Sequence, residues 1–430
     1  MKKLINKIDI FALGPSVFLY YSLIFYFAPI LALLGFSNQT FDLYKNISFH
    51  ALAFSFIGLV FLVLGYTSGI HRLFVKSIPN VLKEEWRERN ILYVFLASFF
   101  VGLFAKILNI SGGFYYRTNF ITLPEFGLDI FYNSLWFFLL FSSVALIVAF
   151  TRYYYLKRSG GRFRGWQSTA YAVLALEILY ALPSCSKLAV IIPIAFMVIT
   201  RWYLWKKSYT NLIVAAIFIL LLFPYGSFCR SPGTIEQFVS PHENKIETTT
   251  LISYSADSFV GRTGQIYVFE KILRADLPRL RGKHYTEFFV SLGPPRFIWK
   301  TKPVSINAYG NEFGKSIGVI GPENKSAIGP TIIGDFYINF GVVGIIVGMF
   351  LTGALFRFLY EYLIVGSAAS ASGVMTYAIS WVHLMHGLES WQVTVWAGLV
   401  KTLVLLLIVH WFLTKITRSP DHKINDSMIS

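Results

Sequence analysis

Charge is scarce in this chain: 14% of its 430 residues are Asp, Glu, Lys or Arg, against roughly 25% in a soluble domain. With 55% hydrophobic residues and a mean hydropathy of +0.57, that scarcity excludes an ordinary soluble fold and points to a polytopic membrane protein. Cysteine is scarcer still. Two residues, Cys185 and Cys229, exclude a disulfide-dense scaffold, and neither sits in a metal-type spacing. No D-x-D pair occurs anywhere, so no obvious site joins Mg²⁺ to a nucleotide sugar. "GNEFGKS" (Gly310 to Ser316) resembles a phosphate-binding loop but has one residue too few between its glycines and follows no clear strand. Low-complexity linkers and internal repeats are absent too. Nothing suggests a nucleic-acid partner.

What the chain does have is long apolar runs, and about 20 residues suffice to cross the hydrocarbon core. Ten spans are expected, near 10–34, 50–71, 91–110, 129–151, 167–182, 188–205, 209–226, 331–356, 373–388 and 391–414. The first is too long for the core of a cleaved signal and lacks an A-x-A-like site, so it reads as a transmembrane helix. Lys and Arg cluster at the N-terminus, at 72–89, at 152–164, at 201–207 and in the tail. Ten spans put all five clusters on one side, so the positive-inside rule makes both termini cytoplasmic. The expected architecture is all-α: spans 1–7 over 1–226, a large external loop over 227–330, spans 8–10 over 331–415 and a cytoplasmic tail over 416–430.

The external loop carries thirteen Lys/Arg against nine Asp/Glu. Two readings stand for that excess: a solvated or lipid-facing basic surface, or a cover over the outer mouth that holds a polyanion. Within it, "SLGPPRFIWKTKPVSINAYG" (Ser291 to Gly310) packs prolines, cations and a tryptophan into a strap. Pro294, Pro295 and Pro303 fix φ and remove donors, so Arg296 is carried on a stiff backbone. An interfacial anchor of Trp and Lys is the alternative.

In the eighth span Asp335 and Asn339 stand at i and i+4 and share a face. An ionisable residue at that depth is a functional candidate, or else a buried partner for a loop arginine. The same span carries Gly341, Gly344 and Gly348, including a G-x-x-x-G, and close helix packing explains them. His383, His386 and Glu389 end the ninth span in "WVHLMHGLES". A third metal ligand is not evident there, whereas a base or acceptor-binding role for Glu389 beside a His, and plain packing, both remain. In "SCSK", Ser184 and Ser186 read as caps for the sixth span, with Lys187 a cation at its outer end.

Several blocks carry a family resemblance. "SGGFYYRTNF", "LPSCSKLAVIIPI", "YGSFCR", "SADSFVGRTGQIYVFEKI", "PPRFIWKTKP" and "GPTIIGDFYINFGVVGIIVGMFLTG" follow in order along most of the chain. Together they resemble the Wzy-type O-antigen and enterobacterial-common-antigen polymerases. Gln265 stands where many relatives carry an acidic residue, and Asp335 where Glu is commoner. The resemblance implies a glycosyltransferase-C-like membrane fold in the bacterial inner membrane, with the active site facing the periplasm. It implies transfer of a growing glycan from undecaprenyl pyrophosphate to the non-reducing sugar of a new lipid-linked repeat unit, with no cofactor and no metal. The partners it implies are that lipid-linked oligosaccharide, membrane lipids, a chain-length regulator and a flippase. Such transfer needs charge stabilisation for pyrophosphate and a base for a sugar hydroxyl. Arg296, Arg262, Arg230, Lys302 and Lys187 are the candidates for the first task; Asp335, Glu389 and His386 for the second; Trp299, Asn339 and His383 for sugar or lipid contact. An O-antigen ligase and a non-enzymatic flippase or exporter of lipid-linked glycan are the rival readings.

Overall fold

The protein is described by a computed structural model, which covers residues 9–36, 44–111, 128–184, 187–207, 209, 213, 264–275, 277–294, 299, 301, 310–322 and 328–415. Regular structure among these residues is entirely helical. Among the described residues six helices are long and apolar enough to cross a membrane: Leu13–Leu34, Phe49–Ser77, Glu88–Ser111, Phe138–Ser159, Ile332–Val365 and Gln392–Lys415. They fall on the expected first four, eighth and tenth spans. The fifth, sixth and ninth are helices of 18, 18 and 17 residues, and 209–226 lies outside the described residues, apart from Tyr209 and Ile213.

We number the helices α1 (Leu13–Leu34, with two π segments), α2 (Phe49–Thr67), α3 (His71–Ser77), α4 (Glu88–Ser111), α5 (Leu128–Ser159), α6 (Arg164–Ala181) and α7 (Lys187–Leu204). There follow α8 (Gln265–Arg274), α9 (Glu287–Leu292), α10 (Gly310–Ser316), α11 (Ile332–Tyr360), α12 (Ala371–Gly387) and α13 (Gln392–Lys415). The P-loop-like heptapeptide is thus a short helix, α10, and not a strand-to-helix turn.

The shorter helices differ from these six in what they carry and where they lie. Helix α6 carries Glu177, which accepts hydrogen bonds from Lys106 of α4 and Ser142 of α5, a buried ion pair that no single run of sequence reveals. Helix α7 contains Pro193. Helix α12 is buried on all sides from Ser372 to Ser380, so its environment is other helices rather than lipid.

One end of the bundle gathers both ends of the described chain. The Asp9 carboxylate accepts from Trp202 Nε1 at 3.0 Å, Tyr203 OH at 3.2 Å and Tyr360 OH at 2.9 Å. There too Lys415 pairs with Glu84 at 3.0 Å and the Arg87 N–H reaches the Leu413 carbonyl at 3.0 Å. Arg152 pairs with Glu88 beside them. We call this the terminal end and the opposite one the loop end.

Helices α2 and α11 approach at backbone distance. A Cβ on Gly65 would lie 1.9 Å from the Phe350 carbonyl oxygen, and one on Gly353 2.0 Å from that of Leu62. Any side chain at either position would force the helices apart.

Helix α11 is not straight. Gly341 has φ 65° and ψ −148°, a region essentially closed to residues with a Cβ. The segment Ile332–Phe340 folds back there on the remainder. Ile333 and Ile345 both lie within 3.4 Å of a Cβ placed on Gly58, although twelve helical residues span about 18 Å when straight. The Phe336 ring fills the space at Gly348, 2.5 Å from a Cβ there, and its carbonyl oxygen lies 2.3 Å from one on Gly344. The G-x-x-x-G therefore receives its own chain's turn rather than a second helix.

Candidate active site

The fold-back sets the chemistry of the loop end. Its first helical turn starts at Thr331, held at φ 67° with its Oγ1 accepting from Gly334 N at 3.2 Å. The Ile332 N–H reaches the Leu388 carbonyl at 3.0 Å, tying this start to the turn between α12 and α13. One turn on, Asp335 is fully buried. Its Oδ2 accepts from the backbone N–H of Gln392 at 2.8 Å, the first residue of α13, and its Oδ1 from Asn339 Nδ2 at 3.1 Å. A carboxylate at a helix N-terminus satisfies an orphan donor and complements the dipole. The shared face of Asp335 and Asn339 is present as expected, and the carboxylate accepts from this backbone N–H and from the Asn339 amide.

Asn339 passes the connection outward. Its Oδ1 accepts from Gly282 N at 3.1 Å, while the N–H groups of Leu280 and Arg281 reach the carbonyls of Ile338 and Asn339, each at 3.1 Å. The segment "PRLRGK" (Pro278 to Lys283) thereby caps the fold-back helix. Arg281 at φ 49° and Gly282 at φ 79° are both left-handed, a strained turn that these bonds hold in place. It displays three exposed cations. Arg279 stacks at 4.0 Å on the Tyr337 ring and donates to the Tyr337 carbonyl at 2.6 Å; Arg281 and Lys283 point to the exterior. Burial, and then the charge of Asp335, push the nearby Tyr285 phenol far above its ordinary pKa, so it stays a neutral donor.

On the other side of the α12–α13 turn sits Glu389, half-buried. Its Oε1 accepts from Tyr20 OH of α1 and its Oε2 from Gln265 Nε2 of α8 at 3.4 Å. Gly329 presses on this turn, since a Cβ there would be 2.6 Å from the Glu389 carbonyl oxygen. Phe313 of α10 packs edge-on to Trp391 at 5.1 Å. Helix α8 packs against both α2 and α11. It buries Gln265, Ile266, Val268, Phe269, Glu270 and Ile272 on one face, the amphipathic pattern its sequence predicts. Glu270 anchors it by accepting from Ser48 Oγ at 2.6 Å and Ser48 N at 3.0 Å, and from Arg274 Nε at 2.5 Å.

The remaining candidates distribute as follows. His386 is exposed on the last turn of α12. His383 turns to α13, its Nε2 3.0 Å from the Val395 carbonyl and 2.7 Å from a Cβ on Gly398, so it serves packing. Trp299 is half-buried, with its ring 3.0 Å from a Cβ on Gly293, the residue that follows α9. Lys187 begins α7. Arg230, Arg262, Arg296 and Lys302 lie outside the described residues, as do Cys185 and Cys229. Among the described residues no group of three His, Cys, Asp or Glu is placed to hold a metal ion.

Sequence reasoning missed Tyr20, the partner role of Gln265 and the basic turn. The first lies 369 residues from Glu389; for the turn, the consecutive "RLRGK" with its glycine was a usable signal. Comparison with protein families, with curated proteins and with solved structures finds no match.

Proposed function

We propose that the chain is a Wzy-type polymerase of undecaprenyl-pyrophosphate-linked repeat units, a ten-span, glycosyltransferase-C-like enzyme of the bacterial inner membrane. Its termini face the cytoplasm and its loop end the periplasm. The observation that carries this reading is the pairing, at one end of the bundle, of a half-buried carboxylate with a basic turn. Glu389 is held by Tyr20 and Gln265, and the turn Arg279–Lys283 is joined to the same α12–α13 connection through Asn339 and Asp335. The Lys- and Arg-rich segments gathered at the terminal end support the orientation.

In this reading the acceptor sugar hydroxyl attacks the anomeric carbon of the donor glycan. A carbon–oxygen bond forms to the acceptor as the bond from that carbon to pyrophosphate oxygen breaks. Glu389 takes the hydroxyl proton, and the electron pair leaves on undecaprenyl pyrophosphate. Tyr20 and Gln265 fix the carboxylate and keep one lone pair of each oxygen occupied. Arg279, Arg281 and Lys283, with the loop arginines Arg296, Arg262 and Arg230 and with Lys302 and Lys187, supply the positive charge that the leaving group needs. Asp335 and Asn339 act as positioning residues, because both oxygens of Asp335 are committed inside the protein and it is closed to solvent. His386 and Trp299 remain at hand for sugar contact.

Loss of the protein from its host distinguishes this from ligation. Polymerase loss leaves single repeat units on the lipid A core, whereas loss of a ligase strands long chains on undecaprenyl pyrophosphate, which would contradict the proposal.

A further inference from the structure

A second feature lies toward the terminal end; its lining does not include Tyr20 or Gln265, which hold Glu389, and it stands independently of the proposed chemistry. An apolar groove of about 280 Å³ runs between α1, α2 and α11, lined by Gly14, Phe18, Leu62, Val63, Tyr66 and Phe356 among others. It opens to the exterior, since Phe18 and Val63 on its rim are 46% and 41% exposed. All three helices are apolar enough to span a membrane, and in that setting the groove opens toward lipid.

The groove has a polar and positively charged lip. Tyr66 marks that end, with Arg357 Nη1 3.5 Å from its hydroxyl and Glu361 paired to Arg357. Just beyond Gly69, the short helix α3 packs on α11 with Phe74 edge-on to Phe358 at 6.4 Å. It carries exposed Arg72 and Lys76 beside Leu73 and Phe74, themselves 70% and 56% exposed. A helix that shows apolar rings and cations to the same exterior belongs at the headgroup boundary. His71, which opens α3, is 5% exposed, and its Nδ1 has no hydrogen-bond partner among the described residues. Arg357, Glu361 and Arg72 are the charged groups that face it.

We propose that the groove and its lip hold one anionic phospholipid of the leaflet on the terminal side, the cytoplasmic leaflet in the orientation given above. One acyl chain lies along Phe18, Leu62 and Val63, and the phosphate sits against Arg72 and Lys76. Charge selects the occupant. Glu361 already neutralises Arg357, whereas Arg72 and Lys76 form no ion pair among the described residues, and each such cation near a surface favours anionic lipid.

The test uses the full chain in detergent, offered phosphatidylglycerol and phosphatidylcholine in equal amounts and read by native mass spectrometry. Wild type is expected to retain one phosphatidylglycerol. The double variant Arg72→Gln/Lys76→Gln, which touches only exposed side chains, is expected to lose retention about thirtyfold. Val63→Trp, which fills the groove, is expected to abolish it; should that variant fail to fold, the double variant decides. Equal retention of the two lipids overturns the proposal. So does retention unchanged by the double variant, displacement of phosphatidylglycerol by added undecaprenyl phosphate, or a dimer of the chain that Val63→Trp breaks in the absence of lipid.

Discussion

Replacing Asp335 by alanine separates a structural carboxylate from a catalytic one. In the native protein its two oxygens take the Gln392 N–H at 2.8 Å and the Asn339 amide at 3.1 Å, all in a site with no solvent exposure. Alanine leaves the Gln392 N–H buried and unpaired, at a cost of about 1–3 kcal/mol. Asn339 keeps the Asp335 carbonyl at 2.8 Å and Gly282 N at 3.1 Å, so its loss is that of a charge-assisted bond, about 1.5–3 kcal/mol. The two add to roughly 2.5–6 kcal/mol, a large share of the ~5–15 kcal/mol that holds a typical protein. Thermal unfolding in detergent, followed by tryptophan fluorescence, should show a markedly lower midpoint. Asp335→Asn keeps one acceptor and should fall between the two. An alanine variant as stable as wild type that nevertheless makes no polymer would refute the reasoning and return Asp335 to the role of base.

Three more outcomes follow from the same geometry. Burial raises the Glu270 carboxyl, but the hydrogen bonds from Ser48 and Arg274 outweigh it and hold the group below its ordinary pKa. Its stabilisation is therefore complete above the ordinary carboxylate range and lost as pH falls through the depressed value. Unfolding midpoints of wild type and Glu270→Gln should differ at neutral pH and converge in acid, and a constant offset would contradict this. Lys106→Met strands Glu177 and should cost about 3–5 kcal/mol, with most of it restored in Lys106→Met/Glu177→Leu; chemical unfolding of the single and double variants measures both. Gly341→Ala must adopt φ 65° and ψ −148° and should cost about 1–3 kcal/mol, read as a lower unfolding midpoint with the Glu389 site still assembled.

Much of the helical frame was legible because hydrocarbon demands long apolar runs, and six of the expected spans stand as such helices. The amphipathic α8, the shared face of Asp335 and Asn339 and the place of Glu389 after α12 were legible for a similar reason: each depends on residues close in sequence. The fold-back of α11 was not. A glycine at φ 65° looks, in an apolar run, like the packing glycines beside it. Nor could the pattern of charge pair Lys106 with Glu177, 71 residues apart. Sequence reasoning gave the eighth span's glycines to a second helix, yet Phe336 does that work at two of them, its ring against Gly348 and its carbonyl against Gly344. Nor could that reasoning pair Gln265 with Glu389, 124 residues apart.

The most direct test is polymerisation by the purified protein on a defined undecaprenyl-pyrophosphate repeat unit in EDTA, comparing wild type with Glu389→Gln. A general base contributes about 10²–10⁴-fold, so wild type should give a ladder of products and the variant, equally stable, at least a hundredfold less. A variant that polymerises normally, or a wild type that works only when a divalent ion is returned, would contradict metal-free transfer with Glu389 as the base.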